Sequence, residues 1–481
     1  MKPVQLVMNS FITKLIQTIH NKPLTTVNVV LYYVKSIEEK VNLIMTEFVV
    51  YDAMMGSGKT TKVKEYILEN PNEKYIYITP FLKESYGVVG INFNVVGDEA
   101  VPVFNDLTND IDYDENNPLS SLRFKYPDRK KGRGSKENSL SHLMNVGYNI
   151  TSTHQLFTHM SIDSLIGADQ YTLVIDESLS VYEETNLVSQ KEVTRLLKIG
   201  ILYLDDDGIT VRFNRDKFGD NINLETDKTV DTYYESLAVM CDLSQLLLID
   251  GKTLVWEMSA DMLRKFKKVI MCTYMFEGQL FSSYLKKHGI GYEIIKFGKK
   301  PSEVKHLFNV LDDKKLNSIG ASETALSKSF FEKEPTKSNG RDACKRHLNT
   351  VMRKWGAKTD NRIFTCFKKD RSFIADGRYN KNWLAFNCRA TNDYGNVENV
   401  AYLINVFPSP ILVKASKGKE TDFDIEIHTL TEMLQFLYRG CLRNDLPMNI
   451  YIPSSRMRRI LFKWLNSDFE YMKLLNDGVY D

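Results

Sequence analysis

The stretch from Tyr51 to Leu68, YDAMMGSGKTTKVKEYIL, constrains this chain more than any other. A strand-like apolar run stops at Asp52, two glycines flank a serine, and a lysine and two threonines open an amphipathic helix. Such a loop must wrap so that consecutive backbone N–H groups face one concavity, and Gly56 and Gly58 permit the angles that a side chain would block. Ala53-x-x-x-x-Gly58-Lys59-Thr60 fits the phosphate-loop pattern, with alanine where the first glycine usually stands. The amides of Met55, Gly56, Ser57, Gly58, Lys59, Thr60 and Thr61 are expected to cradle a β-phosphate at a helix N-terminus, where the dipole favours an anion. Lys59 is expected to reach the β and γ phosphates, and the Thr60 hydroxyl to hold Mg²⁺. A mere glycine turn before Lys-Thr is disfavoured by the strand upstream and the helix downstream.

A phosphate loop alone fits a kinase, a GTPase or a motor. YTLVIDES, residues 171–178, narrows the choice, because an apolar strand ends there in two adjacent carboxylates. Asp176 is expected to hold Mg²⁺ through water, and Glu177 to take a proton from the water attacking the γ-phosphate. A hydrolase needs both; a kinase needs no water-activating glutamate. An Asp-Glu pair at a strand end is common on surfaces, so it is the pairing with the loop that gives it weight.

Strand-like runs alternate with helical patterns from about residue 45 to 300: EFVVYDA, KYIYITP, GYNITST, YTLVIDE, KKVIMCTY and YEIIKF. That alternation implies a parallel sheet with right-handed crossovers. Near Pro301 the pattern restarts with RIFTCF, NWLAFNC, AYLINVF and MNIYIP as strands of a second α/β domain. Residues 1–44 read as an accessory extension or a start-codon artefact. Residues 122–138 and 182–256 read as insertions, the latter with a hairpin in ILYLDDDGITVRF and a helix ending in AVMCDLSQLLLID. Residues 332–343 read as a polar mobile loop. Ser455 to Leu475 reads as a helix with Arg456, Arg458, Arg459 and Lys463 on its polar positions.

The 481 residues carry a formal net charge of only +2, so any basic surface must be local. Six scattered cysteines without a C-x-x-C pair suggest reduced, buried thiols rather than a zinc site or a disulfide framework. No apolar run is long enough for a membrane span, and no signal peptide is visible, so a cytoplasmic protein is expected.

LQFLYRGCLRND, residues 434–445, reads as helical. Arg439 and Arg443 then share a face, where like charges at i and i+4 repel unless an anion lies between them. Two planar guanidiniums suit a γ-phosphate bound by the other domain, although a solvated basic face is an equal alternative from this segment alone.

With these segments in hand, the chain over roughly residues 45–465 resembles the phage-type superfamily 2 helicases, distantly akin to the herpesvirus origin-binding helicase group. In that light DAMMGSGKTT is motif I, YITP motif Ia, TSTHQLF motif Ib and VIDES motif II in a DEAD/DEAH-like variant. KVIMCTYMFEGQLFSSYL resembles motif III, with Cys272-Thr273-Tyr274 in place of Ser-Ala-Thr, FNCRATNDYGNVENVAYLINVF motif V and QFLYRGCLR motif VI. MSAD, Met258 to Asp261, is nearer by letter to motif III, but the later segment sits between a strand and a helix and is preferred. Motif VI of well-known members spaces its last two arginines by three, so either Arg439 or Arg443 is the finger.

The resemblance implies two tandem RecA-like domains, residues 45–300 and 301–481, that bind ATP and Mg²⁺ in their cleft. Lys59, Thr60, Asp176 and Glu177 would come from the first domain, and Arg439, Arg443 and the positioning Gln435 from the second. Single-stranded or forked nucleic acid, DNA favoured, would cross both domains on Thr79, Thr153, His154, Thr391 and Asn392, with Thr273 coupling the two tracks. His154 alone reads equally as a packing residue. Arg129, Lys130, Lys131 and Arg133 read as a solvated loop or an extra fork contact. The expected activity is an ATP-dependent helicase of phage replication or recombination, with replication proteins as possible partners in the host cytoplasm. A packaging ATPase would carry clustered nuclease aspartates in its second half, where this chain carries RGCLR. A translocating remodeller and an RNA helicase remain open.

Overall fold

The computed structural model describes residues 46–467 apart from 98, 106, 107, 109, 130–133, 186, 222–227, 244, 388–393 and 418–422. The proposed extension 1–44, Lys130, Lys131, Arg133, Thr391, Asn392, Cys388 and everything after residue 467 lie outside the described residues.

All six expected strands of the first half form one parallel sheet. They are β1 (Glu47–Asp52), β2 (Lys74–Thr79), β3 (Ile150–Thr153), β4 (Tyr171–Asp176), β5 (Lys268–Thr273) and β6 (Glu293–Lys296). Their spatial order is β6-β1-β5-β4-β2-β3. A parallel sheet covered by helices on both faces needs apolar side chains on both, which explains the continuous runs in place of alternation. Phe48, Val50, Ile76, Ile78, Leu173 and Ile175 join one core. Their strand neighbours Val49, Tyr51, Tyr75, Tyr77 and Val174 join another on the opposite face. Successive side chains thus alternate between two cores rather than between core and water.

The second half builds a four-stranded parallel sheet from β7 (Phe308–Val310), β8 (Arg362–Thr365), β9 (Asn399–Tyr402) and β10 (Met448–Tyr451), in the order β7-β10-β9-β8. The molecule is therefore an α/β protein of two tandem parallel sheets flanked by helices, a RecA-like arrangement. The expected strand NWLAFNC is instead a 3₁₀ turn at Asn380–Asn382 followed by a lone bridge from Trp383 to Phe364. The Asn382 amide donates to the Thr359 and Arg362 carbonyls at 2.6 and 3.0 Å, which pins the segment beside β8 without extending a strand. Strand β7 was not anticipated.

Residues 332–343 are not a loop throughout: a helix runs Thr336–Lys354 and buries Gly340, Cys344, Leu348, Val351 and Met352 on one stripe. That stripe lies largely beyond residue 343, so the polar window ended before its period could show. In the insertion after β4, the hairpin forms between Leu202–Leu204 and Val211–Phe213. The helix there stops at Asp242, and the LLLI that follows pairs as Leu246–Ile249 with Thr253–Glu257, which pairs in turn with Tyr182–Glu184. The basic insertion buries Phe124 completely and leaves Arg129 exposed.

The helix at Ser455–Leu465 presents Arg459 and Lys463 to Glu426 at 2.7 and 3.6 Å. Arg456 departs from the expected polar face. It is 4% exposed, and its guanidinium donates to Asn405 Oδ1, the Val406 carbonyl and Thr429 Oγ1 at 2.9, 2.9 and 3.0 Å. A buried cation needs that many acceptors, so Arg456 is an internal clamp. Trp464 is fully buried, so its ring is closed to any ligand.

Candidate functional site

Parallel strands deliver their C-terminal tips to one edge, and the order of this sheet makes β1, β5 and β4 neighbours. Register places Asp52 beside Thr273, and Cys272 beside Asp176. The loop after β1, Thr273 and the Asp176–Glu177 pair consequently rim one cavity of about 710 Å³.

The loop takes the shape its glycines require. Gly56 and Gly58 stand at φ +78° and +80°, and Gly58 caps helix α1 (Lys59–Glu69), which buries Val63 and Ile67 one turn apart. Lys59 Nζ donates to the Ala53 and Met54 carbonyls at 2.6 and 3.1 Å, closing the loop on itself. Burial lowers the Lys59 pKa, against which Asp176, Asp52 and Glu177 raise it. Thr60 Oγ1 lies 3.4 Å from Asp176 Oδ2, and the Tyr77 hydroxyl donates to the same oxygen at 2.9 Å. Burial raises the Asp176 pKa, and the Tyr77 hydrogen bond and Lys59 oppose the rise. Two hard oxygen donors this close suit Mg²⁺, which takes few protein ligands and completes its shell with water and phosphate. Glu177 adopts φ +69°, a left-handed conformation costing a non-glycine residue about 1 kcal/mol, while its N–H donates to the Cys272 carbonyl at 3.0 Å. Such strain is often found where a side chain must be aimed.

The opposite wall comes from the second sheet's helices. Helix α4 (Ile425–Leu437, following α2 at Leu82–Val89 and α3 at Thr336–Lys354) ends its last turn with Gln435 on the cavity. Arg439 and Arg443 also line it, but not on one helix as the four-residue spacing suggested. Arg439 follows the helix end, Gly440 is extended at φ −84° and ψ −160°, and Arg443 rides a 3₁₀ turn at Cys441–Asn444. A Cβ at Gly440 would lie 2.7 Å from the Val397 carbonyl and 2.4 Å from Met448 Cε, so the chain needs glycine to turn there. The Arg443 carbonyl sits 3.4 Å from the point a Cβ on Gly56 would occupy. The glycine loop after β1 and the arginine turn are therefore in contact.

Further contacts join the two halves around this cavity. Met54 is 1% exposed in the second half's core and accepts from the Tyr438 hydroxyl at 2.9 Å. Tyr274, next to Thr273, accepts from Trp464 Nε1 at 2.8 Å. Thr273 is itself buried, and its carbonyl accepts from Ala53 N–H at 3.0 Å. Lys299 pairs with Asp445 at 2.5 Å.

Sequence reasoning missed three residues here. Asp52, buried, accepts from the Met275 and Phe276 amides at 2.7 and 3.1 Å and so fixes the turn after Thr273. Tyr77 holds Asp176. Glu84, on the first turn of α2, lines the cavity with Asp176 and Glu177. No sequence signal distinguishes Glu84 from an ordinary surface glutamate of an amphipathic helix.

Burial, with the charges of Glu177 and Asp176, pushes the Glu84 carboxyl from 4.5 to about 8, opposed by Arg439 and Arg443. The folded protein then keeps a proton that the unfolded chain releases near 4.5, so this group's contribution to stability is lost as pH rises towards about 8. Glu84→Gln is expected to melt with wild type at pH 5 and increasingly above it up to pH 8.5, as read by circular dichroism. A difference independent of pH would contradict the assignment.

The expected nucleic-acid contacts are placed differently. Thr79 is fully buried, and its hydroxyl donates to the Phe81 carbonyl at 2.7 Å. Thr153 caps the helix His154–His159, accepting from Leu156 N–H at 3.3 Å. His154 is 8% exposed. The Thr79 and Thr153 side chains are thus engaged in a turn and a cap.

Among the described residues no helix is long and apolar enough to cross a membrane, and no cluster of three or more His, Cys, Asp or Glu forms a self-sufficient metal site. The described cysteines are free and buried. Residues 302–465 match the model of the YonV C-terminal Rossmann-like domain family. The SPbeta prophage-derived uncharacterized protein YonV of Bacillus subtilis (strain 168) is 28% identical over 445 residues, 87% of this chain and 98% of its own. Among solved structures, S. tokodaii Xpd4 aligns with TM-score 0.41 and 12% identity over 93% of this chain and 97% of that one. The DUF1998 helicase MrfA bound to DNA and AMPPNP aligns with TM-score 0.30 and 10% identity over 89% and 48%.

Proposed function

We propose that the chain is a nucleoside triphosphatase of the phage-type superfamily 2 helicase kind, hydrolysing ATP between lobes spanning residues 45–300 and 301–481. The observation that carries this reading is the meeting of Lys59, Thr60, Asp176 and Glu177 with Gln435, Arg439 and Arg443 around one cavity. Each set comes from a different sheet system, so a ligand touching both is sensitive to how the lobes sit.

In this mechanism the amides of residues 55–61 hold the β-phosphate, and Lys59 leaves the Ala53 and Met54 carbonyls for the phosphate oxygens. Thr60 and Asp176 would hold Mg²⁺, which would neutralise charge on the phosphates when bound. Glu177 accepts the proton of the attacking water. Arg439 and Arg443 meet charge developing on the transferred phosphoryl group. Opening and closing of the lobes, relayed through Thr273, Tyr274 and Trp464, would advance a strand of nucleic acid, DNA favoured. The prophage origin of the relative supports a phage setting within a host, in which we place the activity in replication or recombination. A translocase that remodels or packages DNA without unwinding shares all these parts; strand displacement measured beside streptavidin displacement separates the two.

The first test is Glu177→Gln. It is expected to bind ATP as wild type does while turnover falls about 10²-fold or more. Loss of binding alongside turnover would remove Glu177 from the role of base.

A further inference from the structure

The chain's near-neutral total hides a strongly basic block. Residues 336–383 hold thirteen Lys and Arg against four Asp, a net +9 where the whole chain has +2. They fold into α3, edge strand β8 and the segment after it, with α3 packed on the short helix Arg371–Ala375.

The cations there are ordered and interleaved with aromatic rings. The Arg341 guanidinium lies 4.4 Å from the centroid of Phe373, with Nε on Asp370 at 2.7 Å. The Arg371 guanidinium lies 4.7 Å from the centroid of Trp383 and donates to the Asn380 carbonyl at 2.8 Å. The Trp383 ring is fixed by its Nε1 on the Cys366 carbonyl at 3.1 Å. Phe373, among these cations, is 59% exposed, more than any other described phenylalanine. Lys345 and Lys369 pair with Asp376 and Glu332. Among the described residues, Arg346, Lys368 and Lys381 are exposed and have no carboxylate within ion-pair distance. The rings give this face flat apolar surfaces beside its charge.

We propose that this face of the second lobe is a stacking platform for single-stranded nucleic acid, a reading that builds on the proposed motor function. The backbone's negative charge complements the cations, and an unpaired base offers the flat face that Phe373 can stack against. Duplex keeps its bases stacked on one another, so no base face along it is free for the ring.

The test is fluorescence anisotropy with a labelled oligo-dT strand over a salt series, on the full chain, with strand-free ATPase measured on the same preparations. Phe373→Leu is expected to weaken binding about ten-fold, the loss of roughly one stacked base. The pair Lys368→Glu with Lys381→Glu is expected to weaken it further and to make the log–log salt slope shallower by about 1.4, two single-strand phosphate contacts. Strand-free ATPase is expected to stay at the wild-type rate. Unaltered binding in both variants overturns the platform while the motor reading stands. Displacement of the strand by polyglutamate as readily as by dT overturns it too. Weakened binding in both variants of a protein that hydrolyses no ATP keeps the platform and overturns the motor.

Discussion

Replacing either Arg439 or Arg443 with alanine is expected to slow ATP turnover, the true finger by about 10³-fold or more, with ATP binding reduced far less. An arginine finger acts on charge that grows only in the transition state, so its removal falls on kcat, and values of about 10³–10⁵ are typical. That range corresponds to roughly 4–7 kcal/mol of barrier. Both residues line the cavity, so the structure admits either as the principal finger. Arg439 is 8% exposed and directly follows Tyr438, whose hydroxyl bonds Met54 of the phosphate loop. Arg443 sits on the turn whose carbonyl approaches Gly56. Lysine at the finger position is expected to recover little, because a point charge lacks the planar fork. Single-turnover measurement at saturating ATP reads the effect, and wild-type rates in both alanine variants would remove this turn from the mechanism.

Lys59→Ala is the second large effect: turnover is expected to fall by about 10²–10³-fold, the usual cost of losing one preorganised donor to the developing charge. Here the fall extends to binding as well, since Lys59 is the cation assigned to the β and γ phosphates. The loop itself is expected to survive. The Lys59 bonds to the Ala53 and Met54 carbonyls are lost, but Gly56, Gly58 and the buried Met54 still fix its course. A thermal melt close to wild type together with hydrolysis reduced by that factor is the expected pair of results. Substantial residual turnover would mean that the phosphate is held elsewhere.

Much of this could be read from the chain because the relevant signals are local. Six apolar runs gave the six strands of the first sheet, since a strand buried on both faces must be apolar throughout. The glycine-bearing turn after β1 and the position of Asp176 and Glu177 at a strand tip follow from strand ends and glycine placement within a few residues. What failed depended on tertiary contacts. Arg439 and Arg443 were placed on one helix because nothing in QFLYRGCLR shows that Val397 and Met448 crowd Gly440 into an extended turn. Arg456 looked like a surface cation because its acceptors, Asn405, Val406 and Thr429, lie 27–51 residues away. Glu84 was invisible for the same reason: its neighbours Asp176 and Glu177 reach it only through the order of the strands. Thr391 and Asn392 fall outside the described residues.

The central claim is that one triphosphate is gripped from both lobes. Hydrogen–deuterium exchange with Mg²⁺ and a non-hydrolysable ATP analogue tests it most directly. Peptides spanning residues 53–61 and 435–444 are expected to gain protection together, with one concentration dependence, and neither is expected to do so in Lys59→Ala. Protection confined to residues 53–61 at saturating analogue would contradict the account.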